Sequence, residues 1–186
     1  EKAQAAGQTL QPKVLVSVEY TGRKRAGERH SVDEIKKILN ELGVTEEQIV
    51  IKSSERDQLG ERDLDDPLEP AQFVLTKTAL VEGWDCKSVY IIVLLNNIGA
   101  RLTNAQIVGR GLRQPRQSYF LDDALNTLYL VTNSSRHDEA ISILQSYLYE
   151  NGLGEITVRT GNTQNKIRIS SSLVSDPKIN YLKFDK

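Results

Sequence analysis

Short apolar runs alternate along the chain with segments whose apolar residues recur every three or four positions. The runs are rich in β-branched residues, and the first (KVLVSVEY, residues 13–20) is typical of a strand buried on both faces of a sheet. The pattern predicts strands over residues 13–20, 48–52, 72–76, 89–95 and 125–132.

Two segments between these strands have a helical period. In residues 31–43, Ser31 is the predicted N-cap and Glu34, three residues later, completes a capping box. Residues 134–152 carry a second apolar stripe that ends at a glycine, and residues 103–112 are compatible with a third helix.

Strands that alternate with helices at this spacing predict an α/β fold, with a mostly parallel central sheet covered by helices on both faces. We expect residues 1–11 to be a connector and residues 12–152 to form the domain. In the C-terminal extension, residues 153–186, the segments 155–161 and 166–174 alternate weakly. They predict either a β-hairpin at the sheet edge or the start of a further domain.

Composition excludes several classes of protein. The 186 residues include one cysteine, Cys86, so an internal disulfide is impossible and a structural zinc site is disfavoured. A reducing compartment, the cytoplasm, is expected. The longest apolar run is too short to cross a bilayer, and the absence of methionine, even at position 1, indicates a piece of a longer protein.

The net charge of -1 conceals charges that are segregated along the chain. Residues 87–121 contain basic residues and no acidic ones, and residues 22–30 (GRKRAGERH) form a second basic segment. Residues 55–69 form an acidic segment, for which a solvated loop is the favoured interpretation. Such asymmetry predicts an anionic partner on one face, although solvated surface loops are the alternative for residues 22–30.

Two motifs flank the strand predicted over residues 89–95. TALVEGWD (residues 78–85) precedes it and QIVGRGLRQP (residues 106–115) follows it. In this order they resemble motifs V and VI of superfamily 2 helicases and translocases, in particular the branch containing the ATP-dependent (Res) subunits of type III restriction enzymes. The resemblance covers residues 13–152 and implies a second RecA-like domain, a three-layer sandwich that closes over ATP held by an upstream domain.

The second motif places Arg110 and Arg113 three residues apart, and on a helix they share a face with Gln106. Gly109 and Gly111 let the backbone approach a neighbouring surface closely. The resemblance implies that both arginines reach the nucleotide phosphates, one of them as the arginine finger, and that Gln106 and Gly109 belong to the nucleotide site. A surface helix with solvated arginines is the alternative.

For the first motif, the resemblance implies nucleotide contacts at Gly83 and Asp85, and nucleic-acid contacts near Lys77 and Thr78. The basic segment after the first strand is expected to pair with phosphates in a sequence-independent, salt-sensitive manner. The residues that would do so are Arg23, Lys24, Arg25 and Arg29.

The chain lacks a phosphate-binding loop of its own. Residues 22–27 have the G-x-x-x-x-G spacing without the Lys-Ser/Thr of a Walker A motif. We therefore expect ATP and Mg²⁺ to be bound in the full protein, with an upstream RecA-like domain that carries the Walker A and DExx motifs, and this chain alone to be inactive. Further partners implied by the resemblance are DNA, with RNA left open, and a methyltransferase or specificity subunit; no membrane is expected.

Three hypotheses about function follow. The first is the C-terminal motor domain of an ATP-dependent DNA helicase or translocase, which contributes arginines to hydrolysis and part of the nucleic-acid track. The second is a non-catalytic nucleic-acid-binding or interaction module on a RecA-like shell. The third is a small phosphate-binding α/β domain, which predicts ATP affinity in this chain alone. An upstream Walker A domain in the full protein would separate the first from the second.

Overall fold

One mixed sheet organises the chain. The structure, a computed structural model, describes residues 10–18, 31–77, 86–95, 107–109, 111–112, 120, 123–132, 137–152, 158–162 and 180–185. The strands are β1 (Lys13–Val18), β2 (Ile49–Lys52), β3 (Phe73–Lys77), β4 (Val89–Leu94), β5 (Thr127–Thr132), β6 (Val158–Asn162) and β7 (Asn180–Asp185). The helices are α1 (Val32–Glu41) and α2 (His137–Glu150), with 3₁₀ turns at Glu46–Gln48 and Asp123–Asn126. Residues 107–109 and 111 are also helical and are called the glycine helix below.

The strand order is β2-β3-β1-β4-β5-β7-β6. The five strands from β2 to β5 in this order are all parallel, whereas β7 is antiparallel to β5 and β6 is antiparallel to β7. A parallel neighbour requires a crossover connection. α1 lies between β1 and β2 in the chain, the glycine helix lies between β4 and β5, and the non-helical residues 53–72 connect β2 to β3. The predicted α/β fold with a mostly parallel sheet is confirmed.

The C-terminal extension contributes strands to the same sheet. β6 overlaps the predicted segment 155–161, and its partner is β7, in a stretch for which the sequence predicted no element. The other predicted segment, 166–174, lies outside the described residues. β7 in turn pairs with β5 from Thr127↔Asp185 to Thr132↔Asn180, so the extension continues the sheet beyond its parallel part.

Two apolar layers cover opposite faces of the parallel strands. On one face, Leu15 and Ile92 pack with residues of the glycine helix and with Leu148 of α2. On the other face, Val16 and Val18 belong to a second cluster, against which α1 packs. Alternate residues of β1 therefore enter different layers, as expected for a strand buried on both faces.

α1 begins with the predicted capping box. The Ser31 hydroxyl accepts the Glu34 main-chain N–H at 3.1 Å, and the Ser31 N–H donates to Glu34 Oε2 at 2.8 Å. The two bonds satisfy N–H groups that a helix start leaves without partners. After the helix, Gly43 has a φ of 89°, the left-handed conformation that favours glycine at a helix end.

Candidate nucleotide and nucleic-acid site

The predicted site segments follow strand ends at one edge of the sheet. Residues 19–30 follow β1, residues 78–85 follow β3, and residues 96–106 follow β4. Because these strands are parallel, their carboxyl ends lie along the same edge, which is where open α/β sheets bind ligands. The position of the motifs in the chain is thus consistent with a site at this edge.

Most of the predicted site residues lie outside the described residues, so their roles stay predictions. These are Arg23, Lys24, Arg25, Arg29, Thr78, Gly83, Asp85, Gln106, Arg110 and Arg113. Lys77 and Gly109 are described.

The glycine helix lies directly on the sheet. Ile107 and Val108 of this helix are buried. A Cβ atom added at Gly111 would lie 2.8 Å from Ile92 Cδ1 and 3.0 Å from both Leu128 Cδ atoms. The shorter distance is below those of real Cβ contacts, so a larger residue at position 111 would force the ends of the Ile92 and Leu128 side chains to shift within a packed core. The surface that Gly111 approaches is therefore the chain's own β4 and β5. This gives Gly111 a packing role within this domain.

Gly109 differs from Gly111 in its surroundings. The nearest atom to a Cβ at this position would be Tyr147 Cε1 of α2, at 3.8 Å, an ordinary van der Waals distance. A methyl group fits here without displacing its neighbours. Packing within the described residues does not require a glycine at position 109, and its predicted nucleotide role stays a prediction.

The two glycines give a matched pair of stability predictions. We expect Gly111→Ala to lower the free energy of unfolding by about 1–2 kcal/mol. Overpacking a filled core destabilises the fold by about 1–3 kcal/mol, and the higher helix propensity of alanine stabilises it by up to about 1 kcal/mol. Gly109→Ala should raise the free energy of unfolding by about 0.5–1 kcal/mol. Urea denaturation followed by circular dichroism measures both. Equal effects of the two substitutions would contradict the packing described for Gly111.

Lys77 ends β3 and is held by an acidic residue. Its Nζ lies 2.9 Å from Glu55 Oε2, and at the end of the neighbouring strand β2 the ammonium of Lys52 pairs with Asp57. Glu55 and Asp57 belong to the acidic segment 55–69. The predicted nucleic-acid contact of Lys77 stays a prediction, and the ion pair is a feature that the sequence pattern did not indicate.

The acidic segment also folds against the opposite edge of the sheet, contrary to the expectation of a solvated loop. The Asp65 carboxylate accepts the main-chain N–H of Lys87 at 3.0 Å and that of Ser88 at 2.8 Å, and the Cys86 thiol donates to it at 3.6 Å. Leu59 and Leu64 from the same segment enter the core. The segment is thus a structural element that fixes the start of β4.

The pKa values around Asp65 follow from this geometry. Burial by itself would raise the pKa of the Asp65 carboxyl. The hydrogen bonds from Lys87 and Ser88 lower the pKa by more, so that it lies below its usual value. Burial, reinforced by the Asp65 charge, raises the pKa of the Cys86 thiol to about 12. Cys86 is therefore a protonated, buried side chain, and it is not a reactive thiolate.

Lys13 is a buried cation at the same edge. Its side chain is almost wholly buried, at 1% exposure, and its Nζ donates to Gln11 Oε1 at 2.7 Å and to the main-chain oxygens of Glu69 and Ala71. Burial lowers the pKa of this ammonium from its usual value, against the raising effect of the nearby Glu69 and Asp65 carboxylates. Sequence reasoning missed this residue, because its partners are mainly main-chain carbonyls distant in the chain.

Within the described ranges, no three or more His, Cys, Asp or Glu side chains are grouped so that they could hold a metal ion. None of the helices in the described part of the chain is long and apolar enough to span a membrane.

Comparison with known proteins gives a local similarity. The chain is 42% identical over 50 residues to the type III restriction-modification enzyme EcoPI Res subunit of Escherichia phage P1 and to the EcoP15I Res subunit of Escherichia coli. It is 43% identical over 47 residues to the StyLTI Res subunit of Salmonella typhimurium. The match covers 25–27% of this chain and spans 5% of the length of each relative.

No family model matches the chain. Among solved structures, a 30S ribosomal A1408 methyltransferase from an uncultured bacterium aligns with a TM-score of 0.37 and 13% sequence identity, covering 100% of this chain and 92% of that one. The sequence similarity to the Res subunits therefore supports a relation to their helicase family, over about a quarter of the chain.

Proposed function

We propose that this chain is the second RecA-like domain of an ATP-dependent DNA helicase or translocase related to the type III restriction Res subunits. The observation that carries the proposal is the local similarity to three Res subunits, each at 42–43% identity. The parallel sheet supports the proposal as well. The two motifs precede and follow β4 in the chain, and the second motif contains the glycine helix, which packs on that strand.

The burial of the glycine helix supports an outward orientation for the arginines. Ile107, Val108, Gly111 and the following Leu112 are buried. On a regular helix, with about 100° per residue, positions 106, 110 and 113 fall on the side opposite to these residues. We therefore expect Gln106, Arg110 and Arg113 to project away from the sheet, toward a second domain.

The chemistry of the arginines suits phosphoryl transfer. In ATP hydrolysis, negative charge is spread over the oxygens of the transferring γ-phosphoryl group, and fixed cations stabilise it. A guanidinium stays charged at any working pH and donates two parallel hydrogen bonds to such oxygens. ATP held by the upstream domain would supply the reacting phosphate, Mg²⁺ would neutralise part of its charge, and this chain would bring Arg110 and Arg113 against it.

The carboxyl edge of the sheet is the proposed nucleic-acid track. Lys77 at the end of β3, Thr78 as the next residue in the chain, and the basic segment 22–30 after β1 in the sequence would contact phosphates at this edge. Contacts of this kind position the motor on DNA without reading its sequence and weaken as salt rises.

The proposal is tested by measuring ATP hydrolysis by the longer protein that contains this chain, with and without DNA, beside this chain alone. We expect DNA-stimulated turnover by the longer protein, within the usual range of about 1–10³ s⁻¹, and no turnover by the chain alone. Hydrolysis by the chain alone would contradict a divided site. A longer protein that binds DNA but never hydrolyses ATP would favour the non-catalytic module instead.

A further inference from the structure

The loop that follows β2 pairs acidic side chains with the lysines at the ends of β2 and β3. Glu55 is paired with Lys77, and Asp57 is paired with Lys52. Lys52 lies opposite Thr76 in the parallel register, so Lys77 is only one residue further along the neighbouring strand. Adjacent strands are about 4.8 Å apart, so the two ion pairs are close neighbours at the carboxyl edge.

In both pairs the carboxylate lies on the solvent side. The exposed fraction of the side chain is 64% for Glu55 against 17% for Lys77, and 45% for Asp57 against 24% for Lys52. A polyanion that approaches this edge from solution therefore meets the carboxylates before it reaches the ammonium groups. Like charges repel, so in this arrangement the lysines are not available to a phosphate backbone.

The two carboxylates are held to different degrees. Asp57 also accepts the main-chain N–H groups of Leu59 and Gly60, at 3.1 and 3.3 Å, which fixes it within the turn. Glu55 is seen with one partner among the described residues, Lys77. Of the two acids, Glu55 is the one that can leave without breaking the turn.

We propose that Glu55 is an internal competitor for the DNA backbone, which occupies Lys77 in the free protein and is displaced by a DNA phosphate on binding. The proposal deepens the nucleic-acid track of the proposed function and rests on it. A surface ion pair contributes only about 0–1 kcal/mol to stability. Replacing the Glu55 carboxylate at Lys77 by a DNA phosphate therefore costs little free energy. The consequence is that the ion pair between Glu55 and Lys77 lowers the affinity of the protein for DNA.

The test is a binding measurement with this chain and a fluorescein-labelled DNA duplex of about 20 base pairs, by fluorescence anisotropy at about 50 mM KCl. Glu55→Gln should tighten binding about two- to fivefold, because one surface ion pair no longer has to be broken. Lys77→Gln should weaken it and lower the salt dependence of the binding constant by about one charge. In the Lys77→Gln background, Glu55→Gln should give only the small long-range gain that follows from removing one negative charge near the DNA.

Glu61→Gln is the matched control. Glu61 is an exposed glutamate of the same acidic segment, with no ion pair to another described residue, and the substitution removes the same charge. We expect a smaller gain than for Glu55→Gln, since the effect on DNA is then only long-range.

Equal gains for Glu55→Gln and Glu61→Gln would overturn the inference, as would an undiminished gain without Lys77, or no binding by any variant. If Lys77→Gln fails to fold, the comparison of the two glutamates decides by itself. None of these failures affects the hydrolysis experiment, which depends on other residues.

Discussion

Replacing Arg110 by alanine is expected to lower the single-turnover rate of ATP hydrolysis by about 10³-fold in the longer protein, at saturating ATP and DNA. Arginine fingers contribute about 10³–10⁵ to phosphoryl transfer, because they stabilise charge that develops only in the transition state. The loss should therefore appear in kcat, with a smaller change in ATP affinity. Arg113→Ala should give a loss of the same kind, and the larger of the two identifies the finger.

Two controls define this prediction. Arg116→Ala removes a third arginine of the same basic stretch, beyond the motif, and should leave hydrolysis within about twofold of wild type. Arg110→Lys keeps the charge but loses the planar pair of donors, so activity should stay well below wild type. If hydrolysis survives both alanine substitutions while DNA binding falls, the arginines act on the nucleic acid and the finger assignment is wrong.

Asp65→Asn is expected to cause the largest loss of stability, about 2–4 kcal/mol in the free energy of unfolding. The carboxylate of Asp65 accepts two main-chain N–H groups and a thiol. Oδ1 accepts all three of these donors, so an amide oxygen can keep the bonds, but they lose the charge of the carboxylate. Hydrogen bonds to charged groups are stronger than neutral ones by about 1–1.5 kcal/mol each. Asp66→Asn is the control, because the side chain of this exposed neighbour accepts only the N–H of Leu68, and losing the charge at one exposed hydrogen bond costs little.

The loss of stability in Asp65→Asn should also depend on pH. The pKa of Asp65 is lower in the folded protein than its usual value, so the unfolded chain binds a proton more readily. The stabilisation is therefore complete above the unfolded pKa, about 3.9, and is lost as the pH falls through the folded pKa. Urea titrations at pH 7 and near pH 3 should show the gap between wild type and Asp65→Asn narrowing on acidification. A gap that stays constant would show that the charge of Asp65 has no part in its role.

The elements that could be predicted from the sequence are those whose signal is local. β1 is an apolar run buried on both faces, and β4 is an apolar run in which only Ile91 is exposed. The capping box of Ser31 and Glu34 depends on residues only three positions apart. β7 was missed, since its place in the sheet depends on pairing with β5, some fifty residues earlier in the chain.

The roles of Asp65 and Lys13 were missed for a different physical reason. Their partners are mostly main-chain groups, which every residue carries and which leave no mark in a sequence. An acidic segment with prolines has the composition of a solvated loop, and its contacts with the sheet appear only once the chain is folded. Charge patterning identified the segment but not its function as a clamp on the start of β4.

The candidate site is predicted in residue type only and stays a prediction. The sequence predicts a phosphate ligand from two arginines behind a glycine, and of this motif the structure describes residues 107–109 and 111–112. Gly111, by contrast, is explained by contact with Ile92 and Leu128 inside this domain. Distances to a phosphate in a divided site depend on a second domain, so no pattern within this chain fixes them.

The most direct test is a structure of the longer protein bound to DNA, ADP and aluminium fluoride, a mimic of the transferring phosphoryl group. The account predicts a guanidinium nitrogen of Arg110 or Arg113 at about 3 Å from a fluoride, the distance of a charge-assisted hydrogen bond. Both guanidinium groups paired with carboxylates of this same domain, away from the nucleotide, would contradict it.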